Sequence, residues 1–234
     1  MCFAPAAQAA TVNAAVAANF TKVATQLAAR FEARTGEAVV LSFGATGALY
    51  TQITQAAPFD VFLSADDTRT KMAIKNGFAV GSTEFTYAVG KLALYSPAID
   101  LTDGEAVLRA NAFQHIAVAD PKTAPYGAAG MAVLDKLGLT DAVTPKIVTG
   151  ENITQTQQFV DSGSAELGFV ALSQVIGKPA AEVWLPPQED YPAIRQNAVL
   201  LTAGAANDAA RAFLDFLKSD EAVAMIKAAG YGVE

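Results

Sequence analysis

Ser42-Phe43-Gly44-Ala45-Thr46-Gly47-Ala48-Leu49 is the stretch whose reading decides the fold. Ahead of it runs Ala38-Val39-Val40-Leu41, an apolar segment that reads as a buried strand. Behind it, Leu49-Tyr50-Thr51-Gln52-Ile53 has the Leu/Ile spacing of a helix face. A strand that turns through small residues into a helix brings unpaired backbone N–H groups, and the positive end of the helix dipole, to one point. Gly44 and Gly47 would let a ligand approach the backbone, and Thr46 can add a hydroxyl. No Lys follows the second glycine, so this is not a P-loop. Taken alone, the stretch also reads as an ordinary turn with a Thr N-cap. Its weight comes from repetition along the chain.

Thr11-Val12-Asn13-Ala14-Ala15-Val16 reads as a first strand and turns through Ala17-Ala18-Asn19 into a helix. Phe20, Val23, Ala24, Leu27, Ala28 and Phe31 form its apolar stripe, with Asn19 at the N-cap position and Thr35-Gly36 as the stop. Pro58 to Asp66 is a nearly continuous apolar strand, and a helix follows from about Thr68 to Lys75. Tyr87 to Tyr95 is a long strand interrupted by Gly90, suited to a segment that leaves one domain and enters another. His115 to Ala119 is a strand that enters Asp120-Pro121-Lys122-Thr123-Ala124-Pro125-Tyr126-Gly127, where the prolines should hold extended backbone up to Tyr126. The next helix is expected over Ala128–Leu137. Ile147 to Asn152 makes a fourth strand-to-helix turn, capped by Asn152 or Thr149, before Ile153. Later strands are expected at Glu166–Ala171, Val183–Leu185 and Asn197–Leu201, and two helices close the chain, the second capped by Ser219-Asp220-Glu221.

This alternation predicts an α/β chain of two lobes, each a mixed, mostly parallel sheet flanked by helices. Residues 11–86 with 199–234 are expected to form the first lobe and residues 87–198 the second, with the ligand cleft between them. Ligands of such sheets lie beyond the carboxyl ends of strands, so the four turns should face one cleft.

Composition narrows the function classes. At 234 residues and 52% hydrophobic, the chain can bury a full core. A net charge of −7 and the lack of a basic patch argue against nucleic acid. Any anion would have to be held by local dipoles rather than drawn in by overall charge. No apolar run reaches transmembrane length. One Cys (Cys2) excludes an internal disulfide, and one His (His115) leaves a His-rich metal site or a His-based triad little to work with. Ala7-Gln8-Ala9 is an A-x-A cleavage signal, so residues 1–10 read as the remnant of a secretory leader and the protein as exported.

Ala17-Ala18-Asn19-Phe20, Ser42 to Gly47, Pro58 to Asp66 and Asp120 to Gly127, in that order and spacing, resemble the periplasmic molybdate-binding proteins of ABC importers. The resemblance runs from about Thr11 to the C-terminus. It implies a type II solute-binding protein, not an enzyme, that closes two lobes on molybdate or tungstate and hands the oxyanion to a membrane permease. Neutral donors would hold the anion, with no cofactor and no direct coordination of the metal by side chains. Asn19 would offer its amide and N–H, Thr46 its hydroxyl and N–H, and Ile153 its N–H. Tyr126 would be the remaining second-lobe ligand. Two departures stand out: Asn19 replaces a frequent Ser, and Ala171 falls where many members carry a Tyr. The Tyr126 hydroxyl is a candidate replacement for that lost donor.

Asp66 and Asp120 are expected to point away from the anion. Lys122 could pair across the cleft with Asp60 or Asp66, or stand solvated on its loop. Two other readings stay open. One is the same fold with another ligand, such as sulfate, chromate, vanadate, phosphate, an organic acid or a metal. The other is an exported α/β enzyme, although no G-x-S-x-G elbow occurs. A monomer is expected, since the lobes need freedom to close.

Overall fold

A computed structural model describes residues 11–234; the leader expected over residues 1–10, with Cys2, lies outside the described residues. The first lobe opens with β1 (Thr11–Ala17), α1 (Thr21–Thr35), β2 (Ala38–Gly44), α2 (Thr46–Thr54), β3 (Val61–Leu63), α3 (Thr68–Lys75) and β4 (Phe85–Gly90). The chain then crosses into β5 (Leu92–Tyr95), α4 (Gly104–Ala110), β6 (Ile116–Ala119), α5 (Pro125–Lys136) and α6 (Thr140–Val143). The second lobe continues with β7 (Ile147–Gly150), α7 (Ile153–Asp161), β8 (Leu167–Ala171), α8 (Leu172–Val175) and β9 (Val183–Trp184). The return brings β10 (Ile194–Leu200), α9 (Asp208–Leu217) and α10 (Asp220–Ala228) back to the first lobe.

Both lobes follow one plan. The first sheet has the order β2-β1-β3-β10-β4 and the second β7-β6-β8-β5-β9. In each, three parallel strands meet a fourth that runs antiparallel, β10 in the first and β5 in the second. Helices cover both faces. In the first lobe, α1, α9 and α10 pack one side through residues such as Leu27, Phe31 and Phe213, while Leu49, Ile53 and Ala73 from α2 and α3 fill the other. In the second, α5 lies on one face through Val133 and Leu134, and Val160 of α7 packs on the opposite one. This is the two-lobed α/β architecture expected from the strand–helix alternation.

Several boundaries differ from the sequence-based expectation. Sheet membership moves the crossings: β4 belongs to the first sheet as far as Gly90, and β10 rejoins that sheet from Ile194, so 87–90 and 194–198 lie with the first lobe rather than the second. The strand interruption at Gly90 was the right signal, but it marks the crossing itself. β2 is not a buried strand. It is the sheet edge, with Val40 51% and Phe43 40% exposed. Pro125 does not hold extended backbone up to Tyr126; it is the first residue of α5, where its fixed φ suits a helix and its missing N–H costs nothing. α4, capped by Asp103, has no counterpart in the sequence-based expectation. Among the described residues no helix is long and apolar enough to cross a membrane.

Candidate oxyanion site

Four turns converge between the lobes. A small cavity there is lined by Ala17–Asn19, Gly44–Thr46, Ala65, Ala124–Tyr126 and Ile153. The cavity as it stands has room for about one water-sized group and none for an extended organic ligand. No lining residue is charged. Asn19, Thr46, Tyr126 and Ile153, the four residues singled out from sequence, all line this cavity.

Each turn presents its donors for a local reason. Thr46 is the first residue of α2; Ala45, not Thr46, is the N-cap. The Thr46 hydroxyl is fully enclosed and accepts the Ala65 N–H at 2.9 Å, which leaves its own proton for the cavity. Tyr126 follows Pro125 at the start of α5, so its N–H is the first that this helix offers. At α7, Asn152 is the cap, as expected, and its Oδ1 takes the Thr154 and Gln155 N–H groups at 3.0 and 3.1 Å. The Ile153 N–H is thereby the one first-turn donor ahead of those that Asn152 satisfies.

Asn19 behaves differently from its expected capping role. It lies in a single 3-10 turn, Ala18–Phe20, and α1 begins at Thr21 without a side-chain cap. Its side-chain NH2 points into the protein, donating to Gln196 Oε1 at 2.8 Å and to the Tyr231 hydroxyl at 3.1 Å. Both amide hydrogens are therefore spent inside the protein, which corrects the expectation that the amide is offered to the anion. The backbone of this turn remains at the cavity.

Beneath the cavity is a buried polar network that the sequence reading missed. Gln196, fully buried on β10, receives Asn19 and the Tyr87 hydroxyl (3.0 Å) on Oε1, and its Nε2 donates to the Tyr126 hydroxyl at 3.1 Å. Tyr231 donates to the Asn19 carbonyl at 2.8 Å and meets the Ser173 hydroxyl at 2.8 Å. A glutamine inside the apolar run of β10 is the signal that was available. Burial pushes the Tyr87 and Tyr126 hydroxyls well above the ordinary tyrosine range, and burial raises Tyr231 to about 12. The network is uncharged at any physiological pH.

The lobes touch directly around the cavity. The Gly47 N–H donates to the Thr123 carbonyl at 2.8 Å, and a Cβ on Gly47 would stand 3.0 Å from the Thr123 Cα. Gly47 thus admits the opposite lobe, not the ligand. Arg69 donates to the Lys122 carbonyl at 2.6 Å while holding Asp66 at 2.5 Å. Asp66 is committed to Arg69 and Ser64, and Asp120 to the Lys122 N–H and the Thr123 hydroxyl; neither lines the cavity. The cross-cleft cation is Arg69. Lys122 contributes its carbonyl, and its ammonium makes no ion pair among the described residues. Among the described residues no cluster of His, Cys, Asp and Glu could hold a metal ion.

Residues 12–232 match the family described as bacterial extracellular solute-binding protein. The chain belongs to this family. Within this solute-binding family, the chain is 50% identical over 228 residues to the molybdate-binding protein ModA of Rhodobacter capsulatus, covering 97% of this chain and 90% of that one. It is 53% identical over 233 residues to ModA of Azotobacter vinelandii, covering 98% and 92%. The solved periplasmic molybdate-binding protein of Azotobacter vinelandii superposes with a TM-score of 0.92 at 41% identity, over 95% of this chain and 99% of that one. The fold is therefore the two-lobed type II solute-binding fold, in a family of binding proteins rather than enzymes.

Proposed function

We propose that this chain captures molybdate, or the nearly isosteric tungstate, between its lobes and delivers it to the membrane permease of an ABC importer. The observation that carries this reading is a compact cavity whose walls offer N–H and O–H donors from both lobes and no charged side chain. A dianion held without cations needs its oxygens hydrogen-bonded, because each unmet charged acceptor costs several kcal/mol. First-turn N–H groups at Thr46, Tyr126 and Ile153 and the Thr46 hydroxyl are suited to that task. A protonated phosphate would ask for a carboxylate acceptor, and the lining has none. The names of the relatives support molybdate as the oxyanion.

The lobes act as two bodies that hinge where the chain crosses, at Gly90–Leu92 and ahead of Ile194, with residues 11–90 and 194–234 moving against 92–184. The protein works outside the cytoplasm as a monomer, needing no cofactor, since closure itself completes the site. Isothermal titration calorimetry with molybdate, tungstate, chromate, vanadate, sulfate and phosphate tests the assignment. One-to-one binding of molybdate and tungstate with sulfate and phosphate silent is the expected result. Binding of sulfate or phosphate in preference would overturn it.

A further inference from the structure

We propose that Gln196 is a positioning residue for the oxyanion site, setting from beneath the cavity the direction in which Tyr126 presents its hydroxyl proton; this rests on the oxyanion reading above. Gln196 touches neither the cavity nor solvent. Yet its two amide ends reach both halves of the site: Oε1 holds Asn19 of the first lobe and Nε2 holds Tyr126 of the second. The ends are not interchangeable. Oε1 faces the Asn19 NH2, which can only donate, so the amide is fixed with its NH2 toward Tyr126; the single Tyr87 hydroxyl proton is shared between Oε1 and the Ser64 carbonyl at 3.1 Å.

A hydroxyl that accepts from an N–H must send its own proton elsewhere. No acceptor among the described residues takes the Tyr126 proton, and the residue lines the cavity. Packing holds the arrangement in place. A Cβ on Gly90 would lie 2.1 Å from the Tyr126 oxygen and 2.7 Å from Gln196 Nε2, so the hydroxyl is seated against bare backbone at the crossing between lobes. Gln196 thus lets the Tyr126 hydroxyl serve as a donor, which is the contribution that Ala171, a methyl group, cannot make.

The test is Gln196→Glu, followed by titration calorimetry with molybdate over about pH 6 to 9, beside the wild type. A protonated carboxyl reproduces the amide, accepting from Asn19 and Tyr87 and donating to Tyr126. An ionised one can only accept; it turns the Tyr126 proton away from the anion and sets a negative charge under it. Buried glutamates can hold pKa values as high as about 8–9, so the change falls inside the window. The titratable groups bonded to this position are Tyr87 from β4 and Tyr126 from α5; Tyr231 from the C-terminal segment is linked to it through Asn19, Asp66 lies near Tyr87 and Tyr191 near Tyr126. Burial pushes the Tyr87 and Tyr126 hydroxyls well above the ordinary tyrosine range and Tyr231 up to about 12, so the introduced carboxyl is the group among these that changes charge.

The expected result is a wild-type affinity flat with pH and a variant affinity within a few-fold of wild type at the acid end. Above the pKa of the introduced carboxyl, the variant should lose about tenfold per pH unit. A variant that follows the wild type at every pH overturns the proposal. So does one that is weakened equally at every pH, which would make Gln196 merely structural. Gln196→Leu, with folding checked by circular dichroism, should bind at least tenfold more weakly; unchanged affinity also overturns the proposal. A wild type silent to molybdate instead removes the ligand assignment, and this inference falls with it.

Discussion

Replacing Thr46 by Val separates two roles that one hydroxyl plays. The shape is nearly preserved, so the effect is chemical. In the free protein the Ala65 N–H, now bound to Thr46 Oγ1 at 2.9 Å in a fully enclosed position, loses its acceptor. Leaving a buried donor unmet costs about 1–3 kcal/mol, which in a protein of this size lowers the melting temperature by roughly 2–12 °C. In the complex the anion loses one hydroxyl donor. A hydrogen bond to a charged group contributes about 1.5–3 kcal/mol, so the molybdate Kd should rise about 10- to 150-fold. Thr46→Ser keeps the oxygen and should stay within a few-fold of wild type in both measurements. Differential scanning fluorimetry reads the first effect and calorimetry the second. If the Val and Ser variants bind molybdate equally well, the Thr46 hydroxyl does not touch the anion and the reasoning fails.

Other consequences follow from the same geometry. Arg69→Met removes the bond to the Lys122 carbonyl across the cleft; because Arg69 is partly exposed, a net loss of about 0.5–1.5 kcal/mol is expected, read in stopped-flow as roughly 2- to 12-fold faster anion release. Asn152→Ala strips the cap from α7 and should cost about 1 kcal/mol of stability, a fall of roughly 2–4 °C in melting temperature. Tyr231 has a folded pKa of about 12, above its unfolded value near 10. Its neutral form is favoured by folding, so that stabilisation is complete below about pH 10 and disappears as the pH rises toward 12. Alkaline denaturation of Tyr231→Phe, followed by circular dichroism, should accordingly be less steep than that of the wild type across that interval.

The parts of the fold that were legible are those governed by local pattern. The stripe from Phe20 to Phe31, the stop at Gly36, the cap at Asn152 and the break at Gly90 depend on near neighbours, and each appears in the structure. Asn19, Thr46, Tyr126 and Ile153 could be picked out as lining one cavity because strand-to-helix turns are local too. What escaped depends on contacts between distant segments. Gln196 meets Asn19 across 177 residues, and Arg69 reaches Lys122 across 53. Nothing in either residue's vicinity announces its partner. Asn19 shows how this misleads: its neighbours suggest a cap, but Gln196 and Tyr231 claim its amide. Val40 departs from expectation for a related reason, since hydrophobicity marks a strand without saying that it lies at the edge.

The place of β10 bears on how the chain acquires its structure. The second sheet is assembled from one unbroken stretch, Leu92 to Trp184. The first sheet keeps the gap between β3 and β4 for a strand that ends only at Leu200. As the polypeptide is synthesised, the segment made first therefore waits, its central pairing unmade, while the segment made later already holds all of its strands. The later segment can therefore complete its sheet before the earlier one, against the usual N-to-C order, and the cavity between the lobes, which draws on both halves, needs β10 in place before its first-lobe wall is whole.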